Sequence, residues 1–210
     1  MITEQTGNSI ARSQDCVHYF RDAYRLMRGK PPKYTIHYRT KRDFHSHSVS
    51  DAEFSLLAKM VVESSQYDGP IVEVGVLAGR TTQRIASVKS ASQKILAVDN
   101  FCWNDWGLSP EEQFSLVKLS LGYLIDTGDV ELVHMDKNDF FASYDGPAPS
   151  LVFLDAMHDY EETKKDIIWA KQAGAEIICG HDYSDEFPGV TRVVDEFGGP
   201  RLLAESLFVL

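Results

Sequence analysis

The sequence predicts a doubly wound α/β fold, in which a mostly parallel sheet carries helices on both faces and follows an N-terminal helical extension. Two observations predict it. From Pro70 onward, short apolar runs alternate with segments of helical spacing, the pattern of a parallel sheet built through helical crossovers. The first run ends in a glycine turn that opens a helix, and no repeat or linker divides the chain. We therefore expect one compact unit over residues 67–210, preceded by a helical cap over residues 1–66.

The N-terminal extension contains two segments with helical spacing. A helix is expected over residues 14–28, because apolar side chains recur at helical intervals and Gly29 and two prolines close the segment. A second helix is expected after Ser50, since Ser50 and Glu53 form a capping box ahead of another periodic apolar run. Both helices are expected to pack on the sheet or to cover its mouth.

The sheet region follows in regular alternation. Strands are expected near residues 71–76, 95–99, 130–134, 150–155 and 176–181, with helices near residues 80–90, 110–122, 159–173 and 190–197. Two helix starts carry clear signals: Ser109 precedes a proline at the first helical position, and Asp159 is followed by Glu162. The segments 202–204 and 207–210 are expected to be short closing strands, although the second is equally compatible with a frayed tail.

Composition limits the partners and the compartment. The 210 residues carry a formal net charge of −10, which disfavours nucleic acid as a partner because such binding depends on clustered Lys and Arg. In the basic, aromatic-rich segment 30–42, a solvated loop is favoured over an arm that grips an anionic substrate. The three cysteines lack ligand or disulfide spacing, and no run resembles a signal peptide or a membrane span. We expect a cytoplasmic protein with reduced thiols that binds no nucleic acid and no membrane.

The first strand and its turn have the composition of a nucleotide-cofactor site. Glu73, Gly75 and Gly79 occupy this region, and the glycines let the backbone approach a ligand. Asp99 ends the next apolar run, where an acid can accept both hydrogen bonds of a ribose diol. The turn lacks the middle glycine of the dinucleotide fingerprint, which argues against a bound pyrophosphate. An acid before the first glycine suits a cationic ligand, and S-adenosylmethionine (SAM), with its ammonium and sulfonium groups, is such a ligand.

On these residues the chain resembles the class I SAM-dependent methyltransferases, whose first motif is an acid followed by a glycine-rich turn. The resemblance implies a Rossmann-like fold in which the turn lines the methionine part of SAM, the acid after the second strand holds the ribose, and residues after the third strand surround the adenine. The implied cofactor contacts are Glu73, Gly75, Gly79, Thr81, Asp99, Asn100, Asp136, Lys137 and Asp155. For Asp136, a cap on nearby backbone amides is an equal alternative.

Acidic and imidazole side chains follow the fourth and fifth apolar runs. Asp155 and His158 follow the fourth run, and His181 and Asp182 follow the fifth. Because neighbouring parallel strands end side by side, these side chains can converge on one cleft. Carboxylates brought together repel one another unless a proton or a divalent metal relieves the repulsion. Oxygen ligands favour Mg²⁺, Mn²⁺ or Ca²⁺, whereas imidazoles leave Zn²⁺ or Fe²⁺ open.

The two segments are similar to a metal-dependent O-methyltransferase-like branch that includes antibiotic and sugar methyltransferases and cephalosporin-hydroxylase-like proteins. That similarity implies Asp155, His181 and Asp182 as ligands of a divalent metal, with Mg²⁺ favoured. It also implies a catalytic pair, with His158 as the general base beside Asp155. Two positions depart from the catechol-type pattern, since His158 stands where a lysine is usual and Tyr183 stands where an asparagine ligand is usual.

The resemblance implies transfer of a methyl group from SAM to a hydroxyl of a small molecule, such as a sugar or a natural product, with divalent-metal assistance. Two other functions stay open: a non-catalytic cofactor-binding or regulatory protein of the same fold, and a hydroxylase-like α/β enzyme. Structural roles also stay open for the cleft, in which Asp155 caps a turn, His158 bonds a carbonyl and Asp182 pairs with Arg192. Nothing in the sequence identifies the acceptor or the oligomeric state.

Overall fold

A computed structural model describes residues 48–210 and shows a seven-stranded sheet at the centre of this region. In chain order the elements are α1 (Asp51–Ser64), β1 (Ile71–Val74), α2 (Arg80–Val88), β2 (Ile95–Asp99), α3 (Pro110–Ser120), α4 (Gly122–Asp126), β3 (Val130–His134), α5 (Lys137–Ser143), β4 (Leu151–Leu154), α6 (Tyr160–Gln172), β5 (Ile178–Gly180), α7 (Pro188–Glu196), β6 (Leu202–Ala204) and β7 (Leu207–Val209). The strand order is β3-β2-β1-β4-β5-β7-β6. The first five strands in this order pair in parallel, and β7 is antiparallel to both β5 and β6. The predicted α/β fold with a mostly parallel sheet is confirmed.

Helices cover both faces of the sheet. One buried apolar cluster takes Leu57, Ile85 and Val117 from α1, α2 and α3, and a second takes Phe140, Ile167 and Val193 from α5, α6 and α7. All four residues of β1 are buried, and β1 pairs with β2 on one side and β4 on the other. Since alternate strand residues point to opposite faces, Ile71 lies in the first cluster and Val72 and Val74 in the second. The end of β1 is therefore enclosed by protein on every side except the loop edge.

Helix α1 belongs to the same compact unit as the sheet. Its predicted capping box is present, with Glu53 N donating to Ser50 Oγ at 3.2 Å and Ser50 N donating to Glu53 Oε2 at 2.7 Å. Its buried face, which includes Met60, packs in the first apolar cluster. The compact unit therefore begins at Ser48, whereas the sequence places the boundary between residues 66 and 67. Helical spacing shows that a segment has an apolar face but does not show which core that face joins.

The remaining differences from the expected elements are local. The helix expected over residues 110–122 is α3 followed by the separate short helix α4, and α5 is not predicted at all. With seven residues, α5 is too short for an apolar periodicity to be read from the sequence. Both closing strands are confirmed, and β7 is paired on each side rather than frayed. The helix expected over residues 14–28 and the basic segment 30–42 lie outside the described residues.

Two expectations from composition concern the membrane and the thiols. Within residues 48–210, none of the helices combines the length and the apolarity that crossing a membrane requires. Cys102 and Cys179 are both free thiols, the first exposed and the second buried.

Gly75, immediately after β1, occupies a position where a side chain does not fit. Its φ is +98°, and a Cβ there would lie 2.1 Å from the backbone oxygen of Asp155. Alanine would combine a disfavoured backbone conformation with an overlap that only a shift of the β1 loop against the β4 loop can relieve. We expect Gly75→Ala to lower the free energy of unfolding by about 3 kcal/mol or more, measured by urea or thermal denaturation.

Gly128→Ala is the matched control for this prediction. Gly128 has a φ of +77°, but a Cβ there would meet no atom within 4 Å. Backbone strain alone should therefore lower the free energy of unfolding of this variant by about 1 kcal/mol. Equal losses of stability in the two variants would mean that the close approach of Gly75 to Asp155 is unimportant.

Candidate functional site

The candidate site lies at the carboxyl ends of β1, β2, β4 and β5, the edge at which open α/β sheets bind ligands. Asp99 is the last residue of β2. Asp155 follows β4, and its N–H donates to Val74 O at 2.8 Å. His181 follows β5, and its N–H donates to Leu154 O at 3.1 Å. These ladder hydrogen bonds hold the side chains beyond the strands at a common edge.

The loop between β1 and α2 is held by side chains from β2 and α3. Asp99 Oδ2 accepts hydrogen bonds from Val76 N at 2.7 Å and Leu77 N at 2.9 Å, and Gln113 Nε2 donates to Leu77 O at 3.1 Å. Leu77 has a φ of +51°, a left-handed conformation that a branched residue keeps only when its surroundings impose it. Helix α2 begins after Gly79, which has a φ of +76°. The loop is therefore preorganised by the protein itself.

Asp99 contacts backbone amides through both of its carboxylate oxygens. In addition to the two bonds on Oδ2, Asp99 Oδ1 accepts a hydrogen bond from Phe101 N at 2.7 Å. Because a carboxylate oxygen can accept about two hydrogen bonds, Oδ1 keeps one position for a ligand hydroxyl whereas Oδ2 is filled. The structure adds a loop-fixing role for Asp99 that the sequence does not predict, and its contact with a ribose stays a prediction.

Glu73 is the most unusual charged residue of the site. It lies within β1 with no solvent exposure, and neither of its carboxylate oxygens has a hydrogen-bond partner of normal geometry among the described residues. Burial, together with the nearby charges of Asp155 and Asp99 and against a lowering effect of the Thr82 hydroxyl, raises the pKa of Glu73 to about 8. A buried carboxylate without a partner is costly, so this position is suited to a cationic ligand.

The other predicted cofactor contacts lie beyond β2 and β3 and at the start of α2. Asp136 is the N-cap of α5, because its Oδ1 accepts a hydrogen bond from Asn138 N at 2.8 Å, the alternative that the sequence leaves open. Asn100 Nδ2 lies 3.4 Å from Asp136 Oδ2, so these two residues are neighbours. Thr81 is buried, with its hydroxyl 3.3 Å from Ser48 Oγ.

Lys137, predicted as an adenine contact, belongs instead to a buried ion cluster with α6. Its ammonium contacts the Glu162 carboxylate at 2.9 Å, the Glu162 backbone oxygen at 3.4 Å and the carboxylate of Asp166. Burial raises the pKa of Asp166 to about 6 even beside this cation. Since an ammonium has three donors and all three are used, we assign Lys137 a structural role rather than a cofactor contact.

The four cleft residues come together as predicted, and we call them the Asp–His cluster: Asp155, His158, His181 and Asp182. His158 Nε2 lies 2.9 Å from Asp182 Oδ2 and 4.0 Å from Asp155 Oδ1. His181 Nδ1 lies 3.3 Å from Asp182 Oδ1 and 3.5 Å from Asp155 Oδ1. Asp182 has a φ of +65°, a left-handed conformation that aspartate tolerates better than most residues. Each carboxylate therefore faces both imidazoles.

Pairing and burial shift the ionisation of the Asp–His cluster. Burial raises the pKa of Asp155, and contact with Asp182 raises the pKa of His158. Burial opposes the charged form of His181, but the two carboxylates outweigh it and raise its pKa to about 11. The same contacts hold the pKa of Asp182 well below its usual range despite its burial. A cluster with both imidazoles protonated and both carboxylates ionised has no net charge, and one divalent cation in place of the two protons would give the same net charge.

The Asp–His cluster has the donor set of a metal site. The ligand atoms of Asp155, His158 and Asp182 all lie within 4.8 Å of one another, so His158, predicted only as a base, stands within ligand range. The buried Nε2 of His158 has no hydrogen bond of normal geometry among residues 48–210, although Asp182 lies close to it. Carboxylates mixed with imidazole also suit Mn²⁺, Fe²⁺ or Zn²⁺, and the Mg²⁺ that the sequence favours stays a prediction.

Three residues that the sequence does not single out for this site surround the two histidines. His181 Nε2 lies 3.1 Å from Glu53 Oε1 and 3.1 Å from Ser206 Oγ. The ring of Phe187 packs against the His158 ring with a centroid distance of 4.6 Å. The capping box identifies Glu53 as a helix-start residue, but its contact with His181 depends on how α1 packs. No local pattern marks Ser206 or Phe187.

Neighbouring contacts show whether Tyr183 and Arg192 interact with the cluster. Tyr183, at the position of the usual asparagine ligand, donates its hydroxyl to Asp195 at 2.9 Å. Arg192 Nε pairs with Glu196 at 3.3 Å, whereas the ion pairs of Asp182 within the described part of the chain are with the histidines. Tyr183 therefore adds no ligand, and Asp182 belongs to the cluster rather than to α7.

The sheet, the glycine loop after β1 and the acids at the strand ends define the fold as that of the class I SAM-dependent methyltransferases. No protein-family model matches the sequence, and no curated protein matches it either. Solved structures do match. They include a SAM-dependent O-methyltransferase from Thermotoga maritima, with a TM-score of 0.54 and 17% identity over 75% of this chain and 52% of that chain.

Two further matches contain a cofactor or its product. An O-methyltransferase from Bacillus cereus in complex with S-adenosylhomocysteine (SAH) gives a TM-score of 0.57 at 14% identity, covering 78% of this chain and 80% of that one. TomG from Streptomyces achromogenes, an O-methyltransferase of tomaymycin synthesis in complex with SAM, gives a TM-score of 0.57 at 11% identity, covering 100% of this chain and 89% of that one. These likenesses confirm the predicted fold.

Proposed function

We propose that the protein is a SAM-dependent methyltransferase that methylates a hydroxyl of a small molecule with the help of a divalent metal. The convergence of Glu73 with two aspartates at the adjoining sheet edge carries this proposal. Glu73, Asp99 and Asp155 lie close enough for the two aspartates to raise the pKa of Glu73, whose oxygens have no hydrogen-bond partner of normal geometry among the described residues. A ligand with ammonium and sulfonium groups brings the positive charge that this arrangement lacks.

The residues around the glycine loop are suited to hold such a ligand. Gly75 and Gly79 have positive φ angles, so the backbone there presents no bulky side chain. Asp99 fixes the loop and keeps one acceptor position for a ribose hydroxyl. Asn100 and Asp136 form the neighbouring wall where the adenine is expected. Because these groups are already fixed, little ordering is required when the ligand binds.

Methyl transfer requires an acceptor oxygen that has lost its proton. When bound, SAM supplies an electrophilic methyl group. His158 is suited to remove the proton because 34% of its side chain is exposed, against 18% for His181, so an acceptor can reach it from the cleft. Phe187 holds the His158 ring, and Asp182 stabilises the imidazolium that proton transfer creates. Histidine acts as a general base when its ring is neutral, the form that a cation bound by the two aspartates would favour.

A divalent metal fits the Asp–His cluster. Asp155 and Asp182 would hold it together with His181, the more buried histidine, whose Nε2 is already engaged on the opposite side of the ring. When bound, the metal supplies positive charge that favours the ionised form of an acceptor hydroxyl. This assignment keeps His158 for proton transfer.

The acceptor is expected to be a small hydroxylated molecule rather than a nucleic acid, because the chain carries a formal net charge of −10. A cytoplasmic location is consistent with free thiols.

A direct assay tests the proposed function. The protein is incubated with SAM and a panel of sugars, phenols and other hydroxylated compounds, and SAH release is measured with and without added Mn²⁺. We expect release that depends on the acceptor, stops when the metal is chelated and returns when Mn²⁺ is restored. Saturable SAM binding without turnover on any acceptor would favour a regulatory protein, and failure to bind SAM would overturn the proposal.

A further inference from the structure

We infer that Glu53, on helix α1, is a positioning residue that orients His181 as a metal ligand, an inference that rests on the proposed metal site. Glu53 lies outside the Asp–His cluster and far from it in sequence. Among residues 48–210, Glu53 contacts the cluster through His181, whose Nε2 lies 3.1 Å from Glu53 Oε1. Its role would therefore be exerted through the histidine and not on the substrate.

The Glu53 carboxylate is held by three separate parts of the fold. It is 4% exposed. Its Oε2 accepts a hydrogen bond from Ser50 N at 2.7 Å, at the start of α1. Its Oε1 accepts hydrogen bonds from Ser206 N at 3.0 Å and Ser206 Oγ at 2.7 Å, in the turn between β6 and β7, and contacts His181 after β5. A carboxylate with so many contacts has one orientation and can impose it on the imidazole.

This contact determines which nitrogen of His181 faces the cluster. As a metal ligand His181 must be neutral, and its one proton then lies on Nε2, facing Glu53 Oε1 and Ser206 Oγ. Nδ1 of that neutral ring carries a lone pair. That lone pair faces Asp155 Oδ1 at 3.5 Å and Asp182 Oδ1 at 3.3 Å. Positive charge is needed between these three atoms; the Nδ1 proton supplies it when His181 is protonated, and a divalent cation would supply it in the place of that proton. A carboxylate on the far side of a metal-binding histidine is the usual way in which proteins orient such a ligand.

Glu53→Gln is a sharp test because glutamine cannot reproduce the carboxylate contacts. Oε1 and Oε2 each accept a backbone N–H, one from Ser206 and one from Ser50. A glutamine must place its amino group against one of these donors, so either the start of α1 or the His181 contact is lost. The substitution changes no group of the cluster itself.

The experiment titrates Co²⁺ into the full-length protein and follows its visible absorption, which reports the number and type of donor atoms. We expect the Kd for Co²⁺ to rise about 10- to 100-fold in Glu53→Gln, with a changed spectrum because the imidazole no longer presents Nδ1 correctly. A Kd and spectrum equal to those of the wild type would overturn the inference.

Ser50→Ala is the matched control. It removes the side-chain cap of α1 and the hydrogen bond from Ser50 Oγ to Glu205 Oε2, but keeps the Ser50 N–H and the contacts that Glu53 makes with Ser206 and His181. Its Kd for Co²⁺ should stay within about twofold of wild type, although α1 is destabilised. An equal loss of affinity in Ser50→Ala and Glu53→Gln would assign the effect to α1 as a whole and overturn the inference.

If Glu53→Gln does not fold, Ser206→Ala replaces it, since the Ser206 hydroxyl contacts both Glu53 Oε1 and His181 Nε2. We expect weaker Co²⁺ binding and a changed spectrum there too, and wild-type values would overturn the inference. Wild-type protein that binds no Co²⁺ would also overturn it, whereas SAM binding and SAH release, measured separately, decide the proposed function.

Discussion

Asp182→Asn should lower kcat/KM for methyl transfer by at least about a hundredfold while the protein stays folded. The side chain contacts both histidines of the cluster, at 2.9 Å and 3.3 Å. Asparagine removes its negative charge but tolerates the left-handed backbone that Asp182 adopts, so the loop should keep its conformation. Steady-state assays of SAH release and thermal denaturation of the same samples separate a loss of chemistry from a loss of fold.

Asp185→Asn provides the matched control for this prediction. Asp185 is an exposed acid in the same loop, three positions further along the chain. Its replacement should leave kcat/KM unchanged, because the residue does not belong to the Asp–His cluster. If Asp182→Asn kept wild-type kcat/KM with and without metal, Asp182 would have to be removed from the proposed site.

Glu73→Gln should weaken SAM binding by at least about tenfold and abolish a proton release that accompanies binding in the wild type. Burial raises the pKa of Glu73 to about 8 in the ligand-free protein, so at pH 7 the carboxyl is mostly protonated. A cationic ligand favours the ionised carboxylate, and binding must then expel the proton. Wild-type affinity should accordingly increase as the pH rises towards 8. Calorimetry in two buffers with different ionisation enthalpies measures the proton directly.

The comparison with Glu73→Gln also cancels any proton exchanged by SAM itself, since both proteins bind the same ligand. Glu131→Gln, which changes an exposed glutamate of β3, serves as the control and should bind SAM as the wild type does. Equal proton release in wild type and Glu73→Gln would mean that Glu73 does not contact the cationic part of the ligand.

The raised pKa of Glu73 has a further consequence for stability. The folded protein favours the protonated form, whereas the unfolded chain ionises near the ordinary value of 4.5. Between these two pKa values the folded state binds more protons, so the stability of the ligand-free protein falls as the pH rises from about 4.5 to about 8. SAM should relieve part of this loss by stabilising the carboxylate.

Most of the fold could be predicted because its signals are local. The apolar runs, the capping boxes at Ser50 and Ser109 and the turn at Gly75 each specify a nearby conformation, and each is present. Helix α5 was not predicted because its seven residues are too few to show an apolar periodicity. The boundary between residues 66 and 67 stays a prediction, because the grouping of α1 with the sheet depends on long-range packing that no local pattern encodes.

The part of the site that follows directly from the ends of the strands could be predicted from the sequence. Asp155, His158, His181 and Asp182 follow neighbouring parallel strands, and the geometry of such a sheet brings them together. Contacts formed between distant segments could not be read in this way. The position of Glu53 beside His181 depends on the packing of α1 against the β6–β7 turn. The ion pairs of Lys137 with the α6 carboxylates depend on α5, the helix that begins at Lys137 and was not predicted.

Titration of the wild-type protein with SAM by isothermal calorimetry at pH 7 tests the central claim most directly. We predict saturable binding of one SAM per chain, with a Kd between about 1 µM and 1 mM and with release of a proton from Glu73. No binding heat and no thermal stabilisation at about 1 mM SAM would contradict the account.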